Sequence, residues 1–174
     1  LGLNLQPVLN GELVRLSPLR PEHFEELFAV ASDPLIWEQH PSSDRYKEKV
    51  FRDYFRGGLE SGGALLARDA ADDRVIGSSR YYGYDAAAGE VEIGWTFLAR
   101  SHWGGRYNAD MKDLMLRHAY EHVDRVIFVI GATNRRSQLA IQKIGARLRD
   151  AKPKQPGREG LVFELSAATY LARR

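Results

Sequence analysis

From Trp95 to Asn108 the chain reads Trp-Thr-Phe-Leu-Ala-Arg-Ser-His-Trp-Gly-Gly-Arg-Tyr-Asn, an apolar strand pattern that runs through two glycines into an amphipathic helix. The first turn of a helix carries backbone N–H groups with no intrahelical acceptor, and the macrodipole adds about half a positive charge there. Glycines at 104 and 105 let a ligand approach the backbone with no side chain in the way. A strand, a glycine turn and a helix start in this order make a cradle for an anion such as a phosphate. The turn lacks both G-x-x-x-x-G-K-[ST] and G-x-G-x-x-G, which disfavours nucleotide hydrolysis and dinucleotide binding. Taken alone, the glycines would equally suit a plain tight connection.

The chain around this turn has the length of one domain, residues 1–174, with room for a substantial core. It contains no cysteine, which removes a thiol nucleophile and a disulfide framework. No apolar run approaches a membrane span, and the first dozen residues lack a basic start followed by an apolar block, so a cytoplasmic address is expected. The net charge of +2 comes from basic residues spread among almost as many acids, so no nucleic-acid or membrane face is expected.

Leu13–Ser17 alternates as a strand, and Pro21 suits the first turn of a helix with Phe24, Leu27, Phe28 and Ala31 on one face. A second helix is predicted over Arg45–Glu60, stopped by Ser61-Gly-Gly63. Strand patterns at 64–68, 75–82 and 90–98, separated by turn residues, predict an antiparallel meander. A helix over 105–122 then leads to a strand at 126–130 that returns parallel to the third meander strand. After a helix at 135–144, strands at 147–150 and 161–166 are expected to pair as a hairpin around one long loop, residues 150–160. The fold class is therefore mixed α/β of the α+β type: a mostly antiparallel sheet with a central parallel pair, and helices on both faces.

Asn134-x-x-Ser137 followed by Lys143-Ile144-Gly145 resembles the N-x-x-S-x-x-x-x-x-K-x-G signature of the GNAT acyltransferase superfamily. Trp103-Gly104-Gly105-Arg106-Tyr107-Asn108 resembles the W-G-x-G-Y-A turn of its branch containing the ribosomal-protein alanine N-acetyltransferases, and Leu13–Phe24 resembles that branch's opening strand and helix. The resemblance runs in order along nearly the whole chain. It implies that the parallel strands splay apart, and that the pantetheine arm of acetyl-CoA lies in the splay against backbone groups of the strand ending at Phe97 and Leu98. It also implies that the turn Trp103–Asn108 receives the pyrophosphate, with Arg100 and Arg106 near enough to add charge. The superfamily turn is R/Q-x-x-G-x-G/A; here Ser101 stands first and Arg106 last.

Amide formation from a thioester needs a neutral amine, a polarised carbonyl and a stabilised leaving thiolate. A lysine amine is only about 0.04% neutral at pH 7, an α-amine about a tenth, so a base matters more for the former. Glu92 is the candidate base, set by alternation on the face opposite Val91 and Ile93, with an exposed carboxylate or an ion pair as the alternative; Glu90, nearer a turn, reads as solvated. By resemblance Asn134 contacts pantetheine or orients substrate and Ser137 serves the leaving sulfur, although both residue types also suit a helix start. Many superfamily members carry a tyrosine four residues after that serine; here it is Ile141.

Trp37, Tyr46 and Tyr82 are the aromatic candidates for the acceptor site. His118 and His122 share a helix face but lack the glutamate of a zinc-protease motif, so no metal is expected. The basic loop with Lys152, Lys154 and Arg158 is assigned to a sheet hairpin, an acceptor-site rim or a homodimer contact. The implied function is acetyl transfer from acetyl-CoA to an amine, either a protein N-terminal α-amine or a small amine, by direct attack in a ternary complex. The alternative is a CoA-binding regulatory or assembly module without turnover.

Overall fold

The computed structural model describes residues 2–173. Among the described residues eight strands form one sheet in the order β1-β2-β3-β4-β5-β6-β8-β7: β1 (Leu9–Asn10), β2 (Val14–Pro18), β3 (Ala64–Asp69), β4 (Val75–Asp85), β5 (Glu90–Leu98), β6 (Arg125–Ile130), β7 (Arg147–Leu148) and β8 (Leu161–Ser166). Neighbours pair antiparallel except β5 and β6, which are parallel and joined through α3 (Arg106–Ala119). The expected meander and central parallel pair are both present.

Two apolar clusters cover the sheet. Phe24, Leu27 and Ala31 of α1 (Phe24–Ala31) pack with Phe51, Tyr54 and Phe55 of α2 (Glu48–Ser61) against Leu66 and Phe97. Met111, Met115, Leu116 and Ala119 of α3 pack against Val14, Leu65, Val91, Ile93 and Val126, with Ile141 of α4 (Arg135–Lys143) and Tyr170 of α5 (Ala167–Ala172) in the same cluster. α2 begins three residues later than its apolar stripe suggests, because Lys47 is extended and donates to the Asp44 carbonyl, which leaves Arg45 and Tyr46 in the preceding turn. It ends at Gly62, which takes the left-handed conformation a helix C-terminus favours. β1 and α5 were not anticipated; α5 is only six residues long and starts on a Ser166 side chain that accepts from the Thr169 N–H at 3.0 Å.

β5 departs from simple alternation. Val91 and Ile93 face the α3 cluster, yet after Trp95, at φ +52°, Phe97 joins the α1–α2 cluster and Leu98 the α3 cluster. Ser78 pairs with Phe97 and Arg80 with Gly94, so β5 spends one more residue than β4 across this interval. This is a β-bulge, and it turns Trp95 onto the side that Glu92 and Gly94 occupy. The hydroxyl of Tyr54 holds it by donating to the Trp95 carbonyl at 2.6 Å.

Candidate functional site

The β5–β6 ladder consists of Glu90 with Arg125, Val91 with Val126 and Glu92 with Ile127. Beyond that rung β5 continues beside β4 as far as Leu98, and β6 continues beside β8 as far as Ile130. The two strands therefore part, leaving a wedge whose edges are backbone N–H and C=O groups without a strand partner on that side. Unpaired strand edges accept an extended ligand as if it were a further strand.

The glycine turn stands at the end of β5. A turn of 3-10 helix, Arg100–His102, leads to Trp103, whose indole N–H donates back to the Leu98 carbonyl at 3.0 Å. Gly104 at φ +115° and Gly105 at φ +101° adopt backbone conformations that other residues rarely reach. Gly105 caps α3 with no side-chain hydrogen bond, and its carbonyl receives the first helical bond from Ala109 at 2.8 Å. The amides of the opening turn, Arg106, Tyr107 and Asn108, thus have no intrahelical acceptor.

Residues the sequence reading passed over hold this turn. His102 is buried, with Nε2 at 2.8 Å from an Asp69 carboxylate oxygen, Nδ1 at 2.8 Å from the Ser101 hydroxyl, and the Tyr107 ring edge-on at 4.6 Å. The Ala71 N–H, followed by His102, holds the Asp69 carboxyl below the usual range. Arg100 is engaged elsewhere, bonded to Asp33 at 2.5 Å, whereas Arg136 of α4 lies 4.0 Å from the Trp103 ring centre and brings a guanidinium beside the turn. Arg106 is exposed.

Of the two β5 carboxylates, Glu90 differs from expectation, while Glu92 forms the ion pair that was its alternative reading. Glu90 is buried rather than solvated, held by Lys154 at 2.7 Å and Arg149 at 3.2 Å, with Arg125 at 3.7 Å. Burial would raise its pKa, but the bonds from Lys154 and Arg149 outweigh that and hold it low. Glu92 is likewise buried, and both its oxygens accept from Arg158, at 2.6 and 2.5 Å. Burial pushes the Glu92 carboxyl up, with Arg158 opposing. The loop between β7 and β8 therefore folds back over β5, spending Lys154, Arg149 and Arg158 on two carboxylates. Glu92 has the room it needs because Gly94 follows on the same face: a Cβ there would come within 3.0 Å of its oxygen.

Trp37 is a core residue and not a wall of an acceptor site: it is 2% exposed, its N–H donates to the Ala31 carbonyl at 2.9 Å, and its ring lies 4.9 Å from Phe97. Tyr46 is half-buried with Lys47 5.8 Å from its ring centre. Tyr82 is half-buried, 5.1 Å from the Trp95 ring, and lines a cavity of about 430 Å³ together with Arg80, Trp95, Gln155 and Arg158.

Asn134 caps α4, its side-chain oxygen accepting from the Ser137 N–H at 3.3 Å, and Gln138 in the next turn ties the loop by donating to the carbonyls of Gly131 and Ala132. Ser137 is half-buried, and Ile141 points into the core. Lys112 on α3 is buried beneath the wedge, where Nζ donates to Thr96 of β5 at 3.2 Å and lies 6.0 Å from the ring of Phe128 on β6; burial lowers its pKa to about 8. Its position in an amphipathic helix gave no sign of this.

Among the described residues no group of His, Asp and Glu side chains is arranged to hold a metal ion, and no helix is long and apolar enough to cross a membrane. The sequence matches the family model of the acetyltransferase (GNAT) domain over residues 14–147. No curated protein matches it. A GCN5-related N-acetyltransferase from Brucella melitensis is similar in structure, with a TM-score of 0.81 and 20% identity over 96% of this chain and 81% of that one. FdhC, described as a nucleotide-linked sugar GNAT, gives 0.69 and 14% over 97% and 94%. A Vibrio cholerae protein provisionally assigned as a ribosomal-protein-serine acetyltransferase gives 0.73 and 12% over 94% and 99%. At these identities the likeness is one of fold.

Proposed function

Since this chain belongs to the GNAT acetyltransferase domain family, we propose that it is an N-acetyltransferase moving an acetyl group from acetyl-CoA to a primary amine, by direct attack in a ternary complex. The observation that carries the reading is the parting of β5 and β6 after Glu92 and Ile127, with the uncapped N-terminus of α3 at the far end of β5. The unpaired strand edge of residues 93–98, including the backbone of Phe97 and Leu98, suits an extended amide-bearing arm. The amides of Gly104–Asn108 suit a pyrophosphate, and Arg136 supplies charge there, as does exposed Arg106. Trp103 fixes the turn through Leu98.

Acetyl-CoA supplies an activated acyl carbon. The amine nitrogen forms the new N–C bond, the C–S bond breaks, and the amine's surplus proton passes to Glu92. Arg158 holds that carboxylate in one geometry, and burial makes it a better base than an exposed glutamate. The Ser137 hydroxyl donates toward the departing sulfur, with Asn134 setting the first turn of α4 beneath it. Structural neighbours named for a sugar nucleotide and for a ribosomal protein illustrate that the fold leaves the acceptor open.

The test is thiol release from acetyl-CoA by the purified protein across a panel of amines and short peptides, with an amine-free control. Release that depends on one acceptor class is the expected result. CoA binding with no amine-dependent release across the panel would overturn the reading in favour of a regulatory module.

A further inference from the structure

Two adjacent glycines, Gly57 and Gly58, stand inside α2, where each costs about 1 kcal/mol of helix stability relative to alanine. Gly58 is crowded: a Cβ there would lie 3.3 Å from Ala64 Cβ and from Leu19 Cδ2 and 3.4 Å from the Arg80 guanidinium, whereas a Cβ on Gly57 would meet that guanidinium at an ordinary contact distance of 3.9 Å. Arg80 is 6% exposed; one terminal nitrogen donates to the Tyr54 carbonyl at 3.3 Å, and Nε is buried with no hydrogen-bond partner. Among the described carboxylates none lies within 4.0 Å of it. A buried guanidinium with an unspent donor and no carboxylate beside it is costly to keep, and its positive charge is left uncompensated at the edge of the cavity.

The surroundings are cationic and aromatic. Arg80 and Arg158 each lie 4.3 Å from the Trp95 ring centre, Arg80 and Arg45 lie 5.7 and 4.9 Å from that of Tyr54, and both oxygens of Glu92 are taken by Arg158. The cavity beside them also has exposed Glu60 at its α2 side. Arg80 is the cross-strand partner of Gly94, and Tyr82 that of Glu92, so the two rungs stand about 7 Å apart along one sheet face. That spacing fits the two ends of a single small molecule.

We infer that the acceptor amine carries an oxyanion, a carboxylate or a phosphate monoester, received by Arg80 in the cavity between α2 and β5 while its amine faces Glu92. The inference rests on the acetyl-transfer reading above. It makes the bulge at Trp95 a specificity device: without the bulge the indole would face α3, and the two guanidiniums would lose the ring they share.

The experiment pairs ω-amino carboxylates of two to six carbons with their carboxamides, and phosphoethanolamine with ethanolamine, in the thiol-release assay and in calorimetric titration without acetyl-CoA. The charged member is expected to be preferred by at least about tenfold in kcat/KM, and the better of the two series names the oxyanion. Arg80→Gln should collapse that ratio toward one. If Arg80→Gln does not fold, Arg80→Lys is read in its place, since an ammonium cannot reproduce the planar fork. Turnover with equal efficiency for charged and neutral partners, or a ratio that survives both substitutions, overturns the inference. If no amine turns over, the acetyl-transfer reading fails on its own and titration decides this one: charged amines binding no tighter than their neutral partners refute it.

Discussion

Replacing Lys112 by methionine should make the protein more stable at neutral pH, even though it deletes a hydrogen bond. The ammonium is buried between Thr96 and Phe128, and its pKa falls from 10.5 to about 8 by burial. That fall corresponds to about 3 kcal/mol of penalty carried by the folded state wherever the lysine is charged in both states. Methionine fills a similar volume with no charge, and Thr96 keeps its bond to the Ser79 hydroxyl at 2.8 Å, so little of the gain is returned. The net effect should be about 1 to 3 kcal/mol, or roughly 2–4 °C in Tm per kcal/mol at this chain length. The sign with pH is specific. Below pH 8 the penalty is full; between pH 8 and 10.5 the native lysine sheds its proton while the unfolded one retains it, so the penalty fades. Urea unfolding of both proteins at about pH 7 and about pH 10 measures it, and the advantage of the variant should shrink across that interval. A variant less stable at pH 7, or a difference independent of pH, would refute the claim that desolvation dominates at this site.

Tyr54→Phe removes the bond to the part-buried Trp95 carbonyl, which should cost about 1 kcal/mol in urea unfolding. His40 is kept neutral by burial and by Arg45, with a pKa of about 4, so stability should fall by about 2 kcal/mol as pH drops from 6.5 toward 4; His40→Asn should flatten that part of the profile. Glu92→Gln should lower kcat by about a hundredfold or more while leaving acetyl-CoA affinity within about twofold, and the wild-type acid limb should lie above the ordinary carboxylate range, with activity lost as pH falls through it. Gly105→Val forces a β-branched side chain to φ +101° and should raise the KM for acetyl-CoA several-fold, measured by initial rates.

The meander, the parallel pair and the glycine turn were legible because each is written locally, in alternation, apolar runs and turn residues. What escaped is non-local. Glu90 looked solvated because nothing within its strand tells that Arg149 and Lys154, some sixty residues on, fold back to meet it. Trp37 looked like a site wall because its loop flanks two helices; only packing reveals that its ring closes the core between Tyr54 and Phe97. Arg80 carried no signal in an otherwise ordinary strand. His102 and Asp69 lie 33 positions apart and meet only because β3 and the turn after β5 share one end of the sheet.

Because of the bulge, β5 is read in two frames: before Trp95 the even positions face the Arg80 side, and after it the odd ones do. Its length is therefore under control as tight as its composition. A replacement between Glu92 and Phe97 disturbs the contacts of one side chain, whereas losing or gaining one residue there would carry Phe97 out of one core, drive Leu98 out of the other and send Thr96 away from Lys112 at a stroke. Relatives that preserve this site should accordingly show almost no indels in the segment.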